Sequence, residues 1–502
     1  MGTKKPLESA PRPLDKALFA SGLQCAKRLY LDFHHPEEVP DPSENQLAMA
    51  EAGRRLAELA REGFPKGIAI DAKDFDKALE QTTAQLAEKK PCILFDAAFR
   101  HGDVEVRSDV AIVQGDGSLS VFEVKSGTKV KPRHVMDVAL QMYVIEANGY
   151  RVRTTNILHV NAQYRHAAEG KYPAHELFKN ADVTDRARKQ QKKVQDELEA
   201  FRALLQDPAT MDLPTGTWCR EPFPCVFLAS CRGEGPDHPL MDLPELTRQQ
   251  EQKLHEQGIV DLATLDPQTP GLSPVQARCL RAVREGKPVF EEFVRRELLT
   301  ELEFPLIFVH VEFLLEVLPR FVGTRPWQQI PYLFGAHLVH EDGKVEVKCH
   351  LAEDGDPRLG FVHALAAATR GEGMLMLFSN YFEARLRDML EDLQGQQTAK
   401  SELRLLLNMP YLEMQHLVQA GVYHPGFRGI FDLEHVAPAL LGQAGDSAIE
   451  SPQGAMQSYL KLTNSRTRAN TKTKLREELL GYVRMRSEQM LKIYRLLTTA
   501  AP

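Results

Sequence analysis

Two acidic residues and a lysine lie on neighbouring predicted strands of the amino-terminal half. Asp109 lies within VEVRSDVAIV, and Glu123 and Lys125 end the segment LSVFEVK. Because side chains alternate along a strand, Glu123 and Lys125 point to one face, and the adjacent strand can place Asp109 there too. Two close carboxylates repel each other unless a cation lies between them, and such an oxygen-rich site suits Mg²⁺ or Mn²⁺. The spacing fits a divalent-metal site, although a solvated Glu–Lys pair is the commoner explanation of this pattern.

A metal ion beside an ammonium group is what phosphodiester hydrolysis requires. The metal lowers the pKa of a bound water molecule and polarises the phosphate. A positioned ammonium orients the water or offsets the charge that grows in the transition state. These two roles match two carboxylates and one lysine.

Three cysteines fall within thirteen residues of a proline-containing segment, WCREPFPCVFLASC. They are Cys219, Cys225 and Cys231, and Cys25 lies near the start of the chain in GLQCAKRLYL. Thiolates so placed are hard to explain as core packing and indicate a metal, and a disulfide is disfavoured in a reducing compartment. Spacing alone leaves zinc and an iron–sulfur cluster both open. The other cysteines lie in apolar segments and are expected to be buried: Cys92, Cys279 and Cys349.

The segments RSDVAIV, VFEVKSG and DVALQMY resemble the core of RecB-like nucleases of the PD-(D/E)XK family. The resemblance implies that Asp109, Glu123 and the carbonyl group of Val124 bind the metal ion. It also implies that Lys125 is catalytic and that Gln141, on the following helix, helps to organise the site.

The cysteine layout resembles the RecB-like nucleases that carry an iron–sulfur cluster, with one cysteine before the nuclease core and three after it. This resemblance implies that a 4Fe–4S cluster, with Zn²⁺ as the alternative, joins the two ends of the domain. Its ligands would be Cys25, Cys219, Cys225 and Cys231.

The region after residue 306 resembles the RNase H-like fold of DEDD exonucleases, through GTRPWQQIPYLFGAHL, SNYFEARL, VYHPGFRG and GYVRMR. In active relatives, acidic residues in D-x-E, after a phenylalanine and in Y-x-x-x-D hold two metals. The matching positions here are His310 and Glu312, then Glu383, then Arg486. Two carboxylates are missing and a guanidinium stands where a metal would bind, so the sequence predicts an inactive domain with a structural or nucleic-acid-holding role.

The elements that must position these residues follow an α/β pattern. In the amino-terminal half, the periodicity predicts helices, a three-stranded meander (92–99, 104–113 and 119–124), a helix over 133–147 and a further strand. The predicted fold class is α/β, with a restriction-endonuclease-like core at 1–235, a helical connector at 236–302 and an RNase H-like domain at 303–502. The polar, basic segment 461–474 is expected to be a mobile loop.

Composition sets the limits of these hypotheses. The chain has 502 residues, of which 43% are hydrophobic and 26% charged, as in ordinary globular proteins. The net charge of −7 means that any nucleic acid must be held by local basic patches. No apolar run reaches the roughly 18 residues of a membrane span, and no signal peptide is recognisable, so we expect a cytoplasmic protein without membrane contact.

Together these features predict a Mg²⁺- or Mn²⁺-dependent deoxyribonuclease that acts on single-stranded DNA or duplex ends, in repair, recombination or defence against foreign DNA. The sequence has no P-loop, so any unwinding would need a partner such as a helicase. The alternatives are a non-catalytic nucleic-acid-binding or scaffold protein and a nuclease that acts on RNA.

Overall fold

The computed structural model describes residues 12–499, except for residues 72, 169, 354, 380, 394, 443, 444 and 446. The chain divides into two compact units. The first contains the chain up to Pro214 together with Trp218–Cys231 and Val317–Pro326. The second contains Thr215–Thr217, Arg232–Glu316 and the chain from Trp327 onward.

The first unit is built on a mixed sheet with helices before, within and after it. Its helices and strands, in chain order, are α1 Lys16–Gln24, α2 Ala26–His34, α3 Glu44–Arg61, β1 Ile68–Ala69, α4 Phe75–Ala87, β2 Cys92–His101, β3 Val104–Val113, β4 Leu119–Lys125, α5 Pro132–Ala147, β5 Val152–Val160, α6 Ala174–Leu177, β6 Phe178–Asp182, α7 Thr184–Lys189 and α8 Gln191–Leu204, and the short helix α9 Leu228–Gly233 begins in this unit.

The six strands of this sheet lie in the order β1-β2-β3-β4-β5-β6. The pairs β2–β3 and β3–β4 are antiparallel, as expected of a meander, whereas β4 and β5 are parallel. A parallel pair needs a crossover, and α5 provides it. Helix α5 begins with Pro132 at its first position, where proline is favoured, and its apolar residues pack into the core formed with β2, β3 and β4.

The second unit has its own sheet and a larger number of helices. Its elements are α10 Arg248–Glu256, α11 Pro274–Glu285, β7 Val289–Phe290, α12 Glu292–Leu298, β8 Leu306–Leu315, β9 Gln329–Val339, β10 Val345–Leu351, α13 Pro357–Thr369, β11 Met374–Leu377, α14 Tyr381–Asp392, α15 Gln397–Leu407, β12 Tyr411–Glu413, α16 Met414–Gly421, β13 Val422–Tyr423, α17 Leu433–Leu441, α18 Pro452–Thr463 and α19 Ala469–Thr499.

The main sheet of the second unit has five strands in the order β10-β9-β8-β11-β12. Strands β8, β9 and β10 pair antiparallel, and β11 and β12 continue the sheet in parallel with β8. One core packs β8 and α19 against residues from 240–298, and another lies between the sheet and α13, α14 and α15.

The predicted α/β class is confirmed for both units. Two segments differ from the sequence prediction. The expected connector at 236–302 supplies Leu240, Leu262, Leu280 and Leu298 to a core of the second unit, so it is part of that unit. The expected loop at 461–474 is mostly helical, because α18 ends at Thr463 and α19 begins six residues later. Among the described residues, no helix is both long and apolar enough to cross a membrane.

Candidate active site

The four predicted site residues of the first unit come from three adjacent elements. Asp109 lies in β3, Glu123 and Lys125 lie at the end of β4, and Gln141 lies in α5. The β3–β4 register pairs Val110 with Phe122, so Asp109 and Glu123 are the next residues along the two strands. The crossover helix α5 places Gln141 within hydrogen-bonding distance of Glu123, near the end of β4.

Hydrogen bonds join these residues into one cluster. An oxygen of Asp109 accepts the backbone N–H of Val124 at 2.7 Å. The Gln141 side-chain amide donates to Glu123 Oε2 at 2.8 Å, and Lys125 Nζ lies 2.9 Å from Glu123 Oε1. Ser108 donates its hydroxyl to Gln141 Oε1 at 2.7 Å, which leaves the amide nitrogen of Gln141 directed at Glu123. The structure therefore brings together all four residues that the sequence predicts.

Two further charged residues belong to the same cluster. Asp137, on α5, contacts Lys125 Nζ, and its other oxygen accepts a hydrogen bond from Gln141 at 3.3 Å. Lys16, on α1, contacts Glu123 Oε1 at 2.8 Å and Asp137 at 3.5 Å. Asp137 precedes Gln141 by four residues and shares its helix face, which is a signal that the sequence offered. Lys16 is 107 residues from Glu123 and gave no such signal.

The cluster contains three carboxylates and two ammonium groups, and their charges shift one another's pKa values. Burial, and then the charge of Glu123, raises the pKa of Asp109 to about 7. Burial alone would raise the pKa of Asp137, but Lys16 and Lys125 lower it below its ordinary value. Burial alone would lower the pKa of each lysine, but the surrounding carboxylates raise both. Both lysines are therefore charged at neutral pH, and Asp109 is the carboxyl group whose charge is least compensated.

The donor set of this cluster fits a divalent cation. Carboxylate and carbonyl oxygens are what Mg²⁺ and Mn²⁺ bind. Asp109 and Glu123 follow the Val110–Phe122 pair on the two strands, and Asp109 accepts the N–H of Val124, whose carbonyl group is the third predicted ligand. A cation at Asp109 would also relieve the repulsion that raises the pKa of this residue.

An acidic residue on β2, Asp96, does not join the cluster. It interrupts the ladder between the pairs Phe95–Val110 and Ala97–Ser108, and its φ of 56° lies in the left-handed region that aspartate tolerates better than most residues. Its side chain accepts a hydrogen bond from Arg61 of α3 at 2.5 Å.

The cysteines expected to bind a cluster all lie in the first unit. Cys25 is the extended residue between α1 and α2, and its thiol pKa is raised by burial and, to a smaller extent, by the nearby Cys225. The N–H of Cys225 donates to the carbonyl group of Cys219 at 2.8 Å, and Cys231 lies in α9. The side-chain amide of Gln24 donates to the carbonyl groups of Trp218 and Phe223 at 2.8 and 2.9 Å, which attaches this segment to α1.

The four cysteines do not form a compact metal site within the described residues. Within the part of the chain that the structure describes, one trio of potential ligands has its donor atoms within 4.8 Å of one another, namely His35, Glu37 and Glu38. The four thiols contain no such trio, so the choice between zinc and an iron–sulfur cluster rests on the resemblance of the cysteine layout.

The residues that the sequence resemblance compares with an exonuclease site, His310, Glu312, Glu383 and Arg486, have protein partners. Glu312 is buried and accepts hydrogen bonds from Tyr482 at 3.0 Å and, at the same oxygen, contacts His310 Nε2 at 3.0 Å. Arg486 is also buried, where it pairs with Glu434 and donates to Gln489 at 3.0 Å.

Glu383 is engaged elsewhere, because Arg387 donates to it at 2.6 Å and lowers its pKa. Each of the two carboxylates that remain at these positions, Glu312 and Glu383, is thus already paired with a side chain of the protein.

Comparison with known proteins gives one result. A family described as a domain of unknown function, DUF2779, matches residues 307–432, which lie within the second unit apart from the segment 317–326. No curated protein matches the chain. The match includes Glu312 and Glu383 and does not extend to the cluster around Asp109.

Proposed function

We propose that the first unit is a divalent-metal-dependent nuclease that hydrolyses DNA phosphodiester bonds. The observation that carries the proposal is the hydrogen-bonded and ion-paired cluster of Asp109, Glu123, Lys125 and Gln141. A buried carboxyl group with a pKa of about 7 beside a lysine and a second carboxylate is a frequent mark of a functional site.

Each residue of the cluster has a distinct role in this proposal. Asp109, Glu123 and the carbonyl group of Val124 would hold Mg²⁺ or Mn²⁺, which would supply Lewis-acid activation of water and of the phosphate. Lys125 carries a permanent positive charge next to Glu123 and offsets the negative charge that grows on the phosphate oxygens. Gln141 fixes the second oxygen of Glu123 and so preserves its orientation.

Basic and aromatic side chains next to the cluster support a nucleic-acid substrate. Lys129 and Lys131 are exposed in the loop after β4. The guanidinium of Arg133 lies 4.6 Å from the ring centre of Phe223, whose side chain is 52% exposed. Cationic side chains bind phosphates and exposed aromatic rings stack on bases, so we place the path of the substrate strand here. The neighbouring His134 is buried with its pKa lowered to about 4, and it contributes no charge at neutral pH.

The other parts of the chain receive supporting roles. The four cysteines would bind a 4Fe–4S cluster, with Zn²⁺ as the alternative, and the hydrogen bonds of Gln24 to the segment 218–231 support a cluster that joins this segment to α1. The second unit holds nucleic acid without cleaving it. Such an enzyme would act in the cytoplasm in DNA repair, recombination or defence, with a helicase as partner where duplex must be opened.

The proposal is tested by replacing the catalytic lysine. Lys125→Ala should reduce Mn²⁺-dependent cleavage of end-labelled single- or double-stranded DNA by about a hundredfold or more, because it removes the positive charge at the reacting phosphate. The matched control is Lys192→Ala, a change at an exposed lysine of α8, which should cut at the parental rate. Circular dichroism checks that both variants are folded.

The same assay separates the alternatives. Cleavage of labelled RNA but not of DNA would show that the substrate is RNA and would leave the site assignment unchanged. Binding of DNA without cleavage by the parent protein would favour a scaffold. Equal cleavage by the parent and by Lys125→Ala would show that this site assignment is wrong.

A further inference from the structure

Lys16 reaches the candidate metal site from outside the sheet that forms it. Its Nζ atom lies 2.8 Å from Glu123 Oε1, 3.5 Å from Asp137 Oδ1 and 3.1 Å from the carbonyl oxygen of Arg107. An ammonium group has three N–H donors, and here three acceptors surround it. The amine donates hydrogen bonds to Glu123 and to the carbonyl group of Arg107 and forms an ion pair with Asp137, while it occupies one oxygen of a proposed metal ligand.

The backbone around Lys16 is fixed on both sides. Leu14 pairs with the start of β3 through two hydrogen bonds, from its own N–H to Asp103 at 2.7 Å and from the N–H of Glu105 to its carbonyl group at 2.9 Å. Asp15 then caps α1 by accepting the N–H of Leu18 at 2.8 Å. Lys16 is the first residue of the helix, so its side chain starts from a defined position.

Both oxygens of Glu123 are already taken in this arrangement. Lys16 and Lys125 share Oε1, and Gln141 donates to Oε2. A divalent cation that binds Glu123 must share this space with two ammonium groups, and like charges repel strongly where little water screens them. Lys125 is also held by a close contact with Asp137, whereas Lys16 lies farther from Asp137, at 3.5 Å. Lys16 is thus the cation that can yield its place on Glu123.

We propose that Lys16 is a tethered cation that occupies the carboxylate cluster in the metal-free protein and leaves Glu123 when Mg²⁺ or Mn²⁺ binds. The inference rests on the proposed metal site and adds to it an internal competitor that weakens metal binding. In the metal-free state the same ammonium group keeps Glu123 and Asp137 from repelling each other. In the metal-bound state it retains Asp137 and the carbonyl group of Arg107 as partners.

Metal binding measured directly tests this competition. Mn²⁺ affinity of the full-length protein is measured by calorimetry and by the paramagnetic resonance of free Mn²⁺, for the parent, Lys16→Met and Lys16→Gln. Removing the competing charge should tighten Mn²⁺ binding by about tenfold or more in both variants. Lys192→Met is the matched control, because that lysine is exposed on α8, and its Mn²⁺ affinity should equal that of the parent.

Thermal unfolding gives a second readout that does not depend on cleavage. Without Lys16 the carboxylates repel, so both variants should melt below the parent in EDTA and gain more from Mn²⁺ than the parent does. Lys16→Gln retains a hydrogen-bond donor and serves if Lys16→Met does not fold without metal.

The outcomes also distinguish this inference from the proposed function. If the parent binds Mn²⁺ and both variants bind it with equal or lower affinity, the role of Lys16 is overturned and the metal site stands. Mn²⁺ binding by the variants and not by the parent supports the competition. If neither the parent nor the variants bind Mn²⁺, the metal site and the inference both fail.

Discussion

At the scale of single residues, the cluster is defined by an excess of negative charge. Three carboxylates, on Asp109, Glu123 and Asp137, face two ammonium groups. Lys16 and Lys125 both contact Glu123 and Asp137, which leaves Asp109 with a backbone N–H as its hydrogen-bond donor. Burial, together with the charge of Glu123, raises the pKa of Asp109, whereas Lys16 and Lys125 outweigh burial at Asp137 and lower its pKa.

The raised pKa of Asp109 predicts how stability depends on pH. Its carboxyl group titrates near 3.8 when unperturbed and at about 7 in the folded protein, so the folded state binds the proton more tightly. The tighter binding of this proton stabilises the folded state fully below about pH 4, and this stabilisation is lost as the pH rises through about 7. Asp109→Asn removes the ionisation, and should stabilise the metal-free protein at pH 8 by about 4 kcal/mol relative to the parent and by less than half as much at pH 5.

Thermal unfolding in EDTA at both pH values measures this difference. Glu80→Gln, at an exposed position of α4, is the control and should shift neither melt. If the parent protein is as stable as Asp109→Asn at pH 8, the pKa of Asp109 is not raised in the folded protein.

The sequence predicted those site residues that follow from local spacing. Strand alternation and one tight turn place Asp109, Glu123 and Lys125 on one face, and the resemblance to RecB-like nucleases singled them out as a site; helical spacing could also have indicated Asp137. Lys16 could not be found in this way, because its contact with Glu123 depends on the docking of α1 against β3, which leaves no periodic trace in the sequence.

At the scale of elements, the cysteine segment is attached to two helices that also serve the site. Gln24, at the end of α1, binds the carbonyl groups of Trp218 and Phe223. Arg133, at the start of α5, packs over the ring of Phe223. Lys16 lies on the first of these helices, and Asp137 and Gln141 lie on the second, so order in the cysteine segment affects the placement of three site residues.

Loss of one thiol should therefore lower stability and remove the cluster. Cys225→Ser should lower the melting temperature by roughly 5 °C or more, because metal binding and folding are coupled, and should abolish iron–sulfur absorption near roughly 400 nm. Cys92→Ser is the matched control, since Cys92 lies in β2 outside the cysteine segment, and it should keep the absorption. A colourless parent protein that contains zinc would contradict the iron–sulfur assignment.

At the scale of the whole molecule, the sequence predicted three parts, at 1–235, 236–302 and 303–502, and the structure has two compact units. Helical periodicity identified helices at 236–302 but could not reveal that their apolar faces complete the core around α19. The segment 317–326 belongs to the first unit, where Thr324 accepts the N–H of His166 at 3.0 Å and Tyr172 donates to Pro319 at 3.1 Å. Such pairings between distant residues depend on the final fold and have no local pattern that could predict them.

The two units should differ completely in catalysis. In the second unit Glu312 accepts hydrogen bonds from Tyr482 and contacts His310, Glu383 is bound by Arg387, and Arg486 supplies a buried positive charge. Positive and hydrogen-bonding side chains thus surround the carboxylates that the sequence resemblance compares with a two-metal site. The double variant Glu312→Gln/Glu383→Gln of the full chain should cleave DNA at the parental rate in Mn²⁺, whereas Lys125→Ala should lose cleavage.

Because Glu312 is buried, unfolding is followed for each variant, and the single variant Glu383→Gln, at a surface position, serves if the double variant is unstable. A large loss of cleavage in a folded Glu383→Gln protein would mean that the second unit is catalytic. If Lys125→Ala keeps some cleavage and the added change Glu383→Gln abolishes it, the remaining activity belongs to the second unit.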